Sequence, residues 1–202
     1  MAWPTLLAFW SAFALALVSP GPNFAMMLRI GLDAGRPAAV RTALGIALGE
    51  AVWGFAALFG VAALALHYPL LGTAIRWAGG VFLLWLAFGA LRAVWPGRGV
   101  DAPAPPAAGG FRTGFLLMLL NAKAGFFWVS LTGVLLGPTV SAGTALLVVG
   151  IAVALSLGWH SLLALAFSGR RLHAAYRRAR RAIEGALGLV LAGLGLRVLA
   201  HS

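Results

Sequence analysis

The run LLAFWSAFALALVSPGPNFAMML, residues 6 to 28, is apolar almost throughout, yet Ser19, Pro20, Gly21, Pro22 and Asn23 interrupt it. Whether this is a buried soluble helix or a broken membrane span decides the fold. Composition settles that choice. The 202-residue chain is 62% hydrophobic and 9% charged, against roughly 45–50% and 25% in soluble domains. Five more apolar runs follow: Ala43 to Leu66, Leu70 to Leu91, Gly114 to Leu136, Ala142 to Phe167 and Ile183 to Leu199. Each reaches or nears the ~20 residues a helix needs to cross ~30 Å of hydrocarbon. The expected fold is therefore an all-α polytopic membrane protein with six transmembrane helices. A barrel would show ~10-residue stretches of alternating polarity instead. The first run precedes every basic residue and has no small-residue cleavage site near Met26 and Met27, so it reads as a span and not as a signal peptide.

The chain has no cysteine, which removes disulfides, thiolate nucleophiles and thiolate metal ligands. No HExxH and no nucleophile with a base appears, so an enzyme is not expected. Glu50 and His160 are the two intramembrane metal-ligand candidates, too few for a metal exporter. No cofactor or metal is expected.

The net charge of +11 takes its meaning from position. Arg29, Arg36 and Arg41 lie between the first and second runs, Arg92, Arg98 and Arg112 between the third and fourth. Arg170, Arg171, Arg177, Arg178, Arg180 and Arg181 lie between the fifth and sixth. The second and fourth connections, around His67 and Gly137, carry no Arg or Lys. The positive-inside bias then makes the odd connections cytoplasmic and turns both termini outward. The arginine-rich stretch is expected to meet anionic lipid, and no nucleic acid is expected as a partner, since no stacking platform accompanies it.

Between the third and fourth runs, VWPGRGVDAPAPPAAGG (residues 94–110) reads as an extended cytoplasmic linker. It separates a first three-helix half, residues 1–93, from a second, residues 111–202. Three crossings per half insert the second half upside down, giving two inverted repeats, an architecture of transporters with the substrate site between the repeats. A weak internal echo at an offset of 105 fits duplication: GIA at 45 and 150, LR at 91 and 196, Gly80 and Gly185. Gly45, Gly49, Ala56, Gly60 and Ala63 stripe one helix and Gly185, Gly188, Ala192 and Gly195 another, which permits close helix approach and a homodimer.

Pro20 and Pro22 remove backbone donors and Gly21 relaxes the chain between them, so the first helix should break. Backbone freed in this way is tolerated at membrane depth where protein or a water-filled cavity satisfies it. At 1.5 Å rise per residue, Asn23, Glu50, Asn121 and His160 lie ~9–15 Å from the nearest basic connection, which puts polar groups of four helices in one layer. Lys123 joins them in LLNAKAGFFW. An ionisable group in a span costs at least ~2.5–3 kcal/mol on insertion scales, so function is the default reading. A pair between Glu50 and Lys123 that only fixes register is the structural alternative. His160, beside Trp159, fits a structural histidine as well as a proton relay or substrate contact. Trp3, Trp10, Trp77 and Trp95 read as interfacial anchors. Trp53, Trp85 and Trp128 read as cavity lining or filler.

These residues carry a resemblance. SPGPNFAMMLRIGLDAGRPAAVRTALGIALGE, IRWAGGVFLLWLAFGALRA, LLNAKAGFFW and EGALGLVLAGLGLRVL together resemble the LysE-type amino-acid exporter family, which includes homoserine, threonine and leucine efflux proteins. The resemblance implies six helices in the bacterial inner membrane and secondary, proton-driven export of small amino acids or their analogues. Pro20, Gly21, Pro22 and Asn23 match its first motif, and Asn121 and Lys123 its Asn-Pro-Lys. Ala122 replaces that proline, so a milder second break is expected. Glu50 falls where relatives often carry an acid. The expected substrate-binding or coupling set is Pro20, Gly21, Pro22, Asn23, Glu50, Asn121, Lys123, Trp159 and His160, with an amino acid, protons and lipid as partners. Lys123, Asn121 and the amides after Pro22 would take the substrate carboxylate. Glu50, Asn23 and freed carbonyls would take its ammonium. A passive channel or a related exporter of metal or another small solute is the alternative.

Overall fold

A computed structural model describes residues 3–19, 22–94, 109–136, 140–166 and 170–200. In hydrocarbon no water is at hand to satisfy a peptide N–H or C=O, so the chain closes its hydrogen bonds within helices. Eight are seen among the described residues: α1 (Trp3–Val18), α2 (Pro22–Asp33), α3 (Gly35–His67), α4 (Pro69–Ala93), α5 (Phe111–Leu119), α6 (Ala122–Leu135), α7 (Ala142–Ala166) and α8 (Arg170–Ala200). Four stretches, Gly35–Val61, Leu70–Arg92, Ala142–Leu165 and Arg181–Ala200, are long and apolar enough to cross a membrane. A fifth forms if α5 and α6, bent by 58°, count as one span, and α1 is a shorter apolar helix. This is a multi-pass membrane protein.

Two of the six expected runs are divided. Residues 6–28 split into α1 and α2, with Pro20 and Gly21 outside the described residues. Residues 114–136 split at Leu120 and Asn121. At this second break, where Ala122 stands in place of a proline, α5 and α6 are joined by a 58° bend. Its cause is Asn121, whose Oδ1 accepts the Ala124 N–H at 3.3 Å as an N-cap. A capped N-terminus starts a new helix without any proline.

Arg98 lies outside the described residues, and the other arginines expected in connections belong to helices. Arg29 lies in α2, Arg36 and Arg41 in the first two turns of α3, and the arginine-rich stretch from Arg170 begins α8. The 33 residues of α3 extend ~50 Å at 1.5 Å per residue, well beyond a ~30 Å hydrocarbon core. Backbone pairing continues past the bilayer boundary, which the apolar window alone does not reveal. Most of the linker lies outside the described residues. Its last residue is anchored: Gly110 N–H donates to the Thr42 hydroxyl at 2.8 Å, and that hydroxyl donates to the Ala38 carbonyl at 2.9 Å.

Small residues decide which helices approach closely. Gly45 faces Phe111 and Phe115, Gly49 faces Met118, and Gly114 faces the Thr42 carbonyl, so α3 and α5 run parallel with backbones touching. Gly188 meets Ala87 and Leu91, and Gly195 meets Gly80 and Leu84, so α4 and α8 run antiparallel. Gly79 against Ser130 and Ile75 against Gly133 set α6 antiparallel to α4. Gly54 packs on Val149, and α3 crosses α7 antiparallel. Farther along α3 the expected stripe goes unused: Gly60 has nothing within 4 Å of an added Cβ, and Ala56 and Ala63 are exposed. Leu6, Phe9 and Phe13 of α1 complete a core with Leu58, Leu83, Trp128, Leu131 and Val148.

Overpacking a tight crossing costs ~1–3 kcal/mol or more. Gly45→Leu is therefore expected to lower the thermal midpoint of the detergent-purified protein, or to prevent its accumulation, whereas Gly60→Leu leaves the midpoint within error. Fluorescence-detected size exclusion after heating reads both.

Candidate functional site

Glu50 sits in the middle of α3, 5% exposed. A carboxylate at such a place must gather donors, because the nearest water is displaced by side chains. Trp128 of α6 donates its indole N–H to Glu50 Oε1, and the Ser156 hydroxyl of α7 lies near the carboxylate. One turn on, His160 Nδ1 lies 2.8 Å from the Ser156 carbonyl and 3.3 Å from its hydroxyl. A carbonyl only accepts, which assigns the Nδ1 proton to His160. Ser156 thus partners His160 on the side of α7 near Glu50, and all three are buried. Phe9 and Phe13 tilt against the Trp128 ring with centroids 5.5 Å away, holding the indole in its place.

A second buried acid, Glu184 of α8, is 4% exposed. Ser19, the residue just after α1, donates its hydroxyl to Glu184 Oε1 at 3.0 Å. Glu184 is also the acid whose charge acts on Lys123. The hydrogen-bond donor held against Glu50 is the Trp128 indole. Lys123 itself, in the first turn of α6, is exposed on the isolated chain.

The remaining expected residues have definite places. Pro22 opens α2, whereas Pro20 and Gly21 lie outside the described residues. Asn23 Nδ2 donates to the Met118 sulfur at 3.4 Å, and its buried Oδ1 has no partner among the described residues. Asn121 spends its Oδ1 on the α6 cap. Trp159 is half-buried with its N–H buried and unpartnered among the described residues. Trp53, read as lining or filler, donates to the Met118 carbonyl at 3.1 Å, near the end of α5. Trp85, given the same reading, is 62% exposed on the outer surface. No group of three or more metal-ligating side chains is found among the described residues.

Sequence reasoning missed Glu184, Ser156 and Ser19. Glu184 lies three residues after an arginine run and reads as a counter-charge to it. Its signal was that Asp and Glu total only four in the chain, so each one near a span asks for a partner.

The family model described as LysE type translocator matches residues 14–202. The chain belongs to that family. LysE-type proteins are translocators, and an enzyme is not implied. Among curated relatives, the threonine efflux protein of Escherichia coli (strain K12) is 28% identical over 92% of this chain and 92% of its own length. An uncharacterized membrane protein of the same strain is 30% identical over 93% of this chain and 85% of its own. The leucine efflux protein of Klebsiella pneumoniae is 37% identical over a shorter region, 56% of this chain and 55% of its own. No solved structure matches.

A hydrogen bond to a charged group is worth ~1.5–3 kcal/mol, and leaving a buried acceptor unmet costs at least as much. Trp128→Phe keeps a ring against Phe9 and Phe13 but removes the donor to Glu50, so a stability loss of about that size is expected. Adding Glu50→Gln should recover part of the loss, because the uncompensated charge goes with it. Thermal denaturation of the two singles and the double variant measures the coupling.

Proposed function

We propose that this LysE-type chain exports small amino acids or their analogues across the bacterial inner membrane, driven by the proton gradient, with Glu50 as the coupling acid. The observation that carries the reading is the buried group of Glu50, Ser156 and His160 at the α3–α7 crossing, with Ser156 hydrogen-bonded to His160, close to two interrupted helices. Relatives named threonine and leucine efflux proteins support an amino acid as cargo.

The helix pairings support two inverted three-helix repeats, residues 1–93 and 111–202 joined by the linker 94–110. Exchanging the halves in chain order maps α1 on α7 onto α5 on α3, and α2 on α7 onto α6 on α3, while α3·α7 and α4·α8 map onto themselves. Such an arrangement permits alternating access by rocking one repeat on the other about a central site. With the arginine-bearing ends cytoplasmic, both termini face outward.

In this mechanism Lys123 and the first amides of α2 bind the substrate carboxylate, since a helix N-terminus and an ammonium both favour an anion. The unpartnered Asn23 Oδ1 accepts from the substrate ammonium. Ionised Glu50 adds to the attraction for that ammonium. Protonation of Glu50, by way of Ser156 and His160, cancels the attraction and releases the cargo outward. The proton then leaves to the cytoplasm as the site returns. A passive channel would share the interrupted helices but need no proton.

Cells preloaded with a threonine- or leucine-containing dipeptide test the reading. Expression is expected to speed amino-acid efflux, and a protonophore is expected to abolish that efflux even though the amino-acid gradient is directed outward. Glu50→Gln and Lys123→Ala should each slow efflux by about tenfold or more, since ~1.4 kcal/mol of lost transition-state stabilisation already does so. Normal efflux from both variants at normal expression overturns the mechanism.

A further inference from the structure

We propose that Met118 and Trp53 are positioning residues for substrate recognition: together they fix the Asn23 amide with its nitrogen bound and its oxygen left for the substrate ammonium. The role rests on the reading of Asn23 Oδ1 as the acceptor for that ammonium. The two ends of a carboxamide are nearly equal in size, so a hydrogen-bond partner and not packing decides which end points where. Here Asn23 Nδ2 donates to the Met118 sulfur at 3.4 Å. A thioether sulfur accepts and has no proton to give, so the reversed amide would set two acceptors against each other. Oδ1 is thereby kept away from the sulfur, buried and without a partner among the described residues. A buried acceptor held without a donor is unfavourable in the empty protein, and an ammonium that reaches it removes the penalty.

The sulfur can orient the amide only if Met118 is itself held. Met118 is 2% exposed near the end of α5, with its Cβ and Cγ close against Gly49 of α3. Its carbonyl accepts the Trp53 indole N–H at 3.1 Å and the Asn121 N–H at 3.2 Å. Trp53 also reaches across the interruption. Its ring lies against Gly125 of α6, where an added Cβ would stand 2.5 Å from it. One side chain of α3 therefore touches both sides of the 58° bend and holds the last turn of α5 where the sulfur meets Asn23. Without that grip the turn is free to move, and the sulfur with it. The binding group beside the first interruption is thus aimed by the geometry of the second.

The test measures L-threonine and L-leucine efflux from dipeptide-loaded cells as a function of internal concentration, normalised to the amount of protein. It compares Met118→Leu, Trp53→Phe, Asn23→Ala and the Met118→Leu/Asn23→Ala double variant. Met118→Leu fills the space beside Gly49 but offers no acceptor. Its apparent KM is expected to rise about threefold or more, the low end of coupling between residues in contact. Its maximal rate should change little, the pattern of lost binding that ground state and transition state share. Trp53→Phe keeps a ring against Gly125 without the N–H and is expected to raise KM as well. Asn23→Ala raises KM by itself, and adding Met118→Leu to it changes nothing further. A merely structural role would lower the amount of protein or its thermal midpoint and leave KM in place. An unchanged KM in Met118→Leu, or additive effects in the double variant, overturns the proposal. Should Met118→Leu fail to accumulate, an unchanged KM in Trp53→Phe overturns it equally. A raised KM in Asn23→Ala beside an unchanged one in Met118→Leu sinks the positioning role alone, whereas an unchanged KM in Asn23→Ala sinks the binding role of Asn23 with it. Export of neither amino acid by the unmodified protein overturns the functional reading as well.

Discussion

Two carboxylates inside an apolar helical body constrain everything around them. Each is held from across the molecule: Glu50 of α3 by Trp128 of α6, and Glu184 of α8 by Ser19 at the end of α1. An acid buried without donors would cost several kcal/mol, and removing one partner of a buried charge typically costs 3–5 kcal/mol. The helices that carry the donors are therefore obliged to sit where they do. Both donors come from the interrupted helices, and both acids from long continuous ones. The polar contacts thus hold the divided helices against the undivided frame.

Close backbone contact supplies the remaining precision. In lipid, apolar side chains gain little by leaving their surroundings for one another, so small residues and interhelical hydrogen bonds direct association. Gly45 and Gly114 let α3 and α5 touch backbone to backbone. Gly49 then admits Met118, whose carbonyl takes the Trp53 N–H and whose sulfur takes the Asn23 amide. A chain of ordinary packing choices in α3 thereby fixes where the second interruption begins and what the residue after the first one can reach. Gly125, pressed against the Trp53 ring, does the same on the α6 side.

Much of the fold was legible because membrane burial writes itself into long runs of one character. Each of the four long spans contains or closely overlaps an apolar run read from the chain, and the breaks at residues 19–21 and 120–121 fall at the prolines and at Asn121 respectively. Helix ends were less legible, since α3 and α8 continue through basic residues that hydropathy treats as connection. The candidate residues divide in the same way. Glu50 and His160 were visible as polar exceptions in apolar surroundings, and both are buried. Asn121 was visible too, but its amide caps its own helix, an intrahelical use that side-chain type alone does not distinguish from a ligand contact. Glu184 was hidden by its neighbours, because an acid beside arginines looks neutralised along the chain when its partner in space is Ser19.

The second interruption differs in kind from the first. Alanine at 122 keeps the peptide hydrogen that proline would lack, and that hydrogen is bonded to the Leu120 carbonyl at 3.0 Å. In an unbroken helix it would bond to Met118 instead, whose carbonyl at present receives the Trp53 and Asn121 N–H groups. The bend is thus maintained by a swap of hydrogen-bond partners and not by a missing atom. Straightening here demands only a rearrangement of existing bonds, an option that a proline, with no peptide hydrogen to re-pair, would have closed.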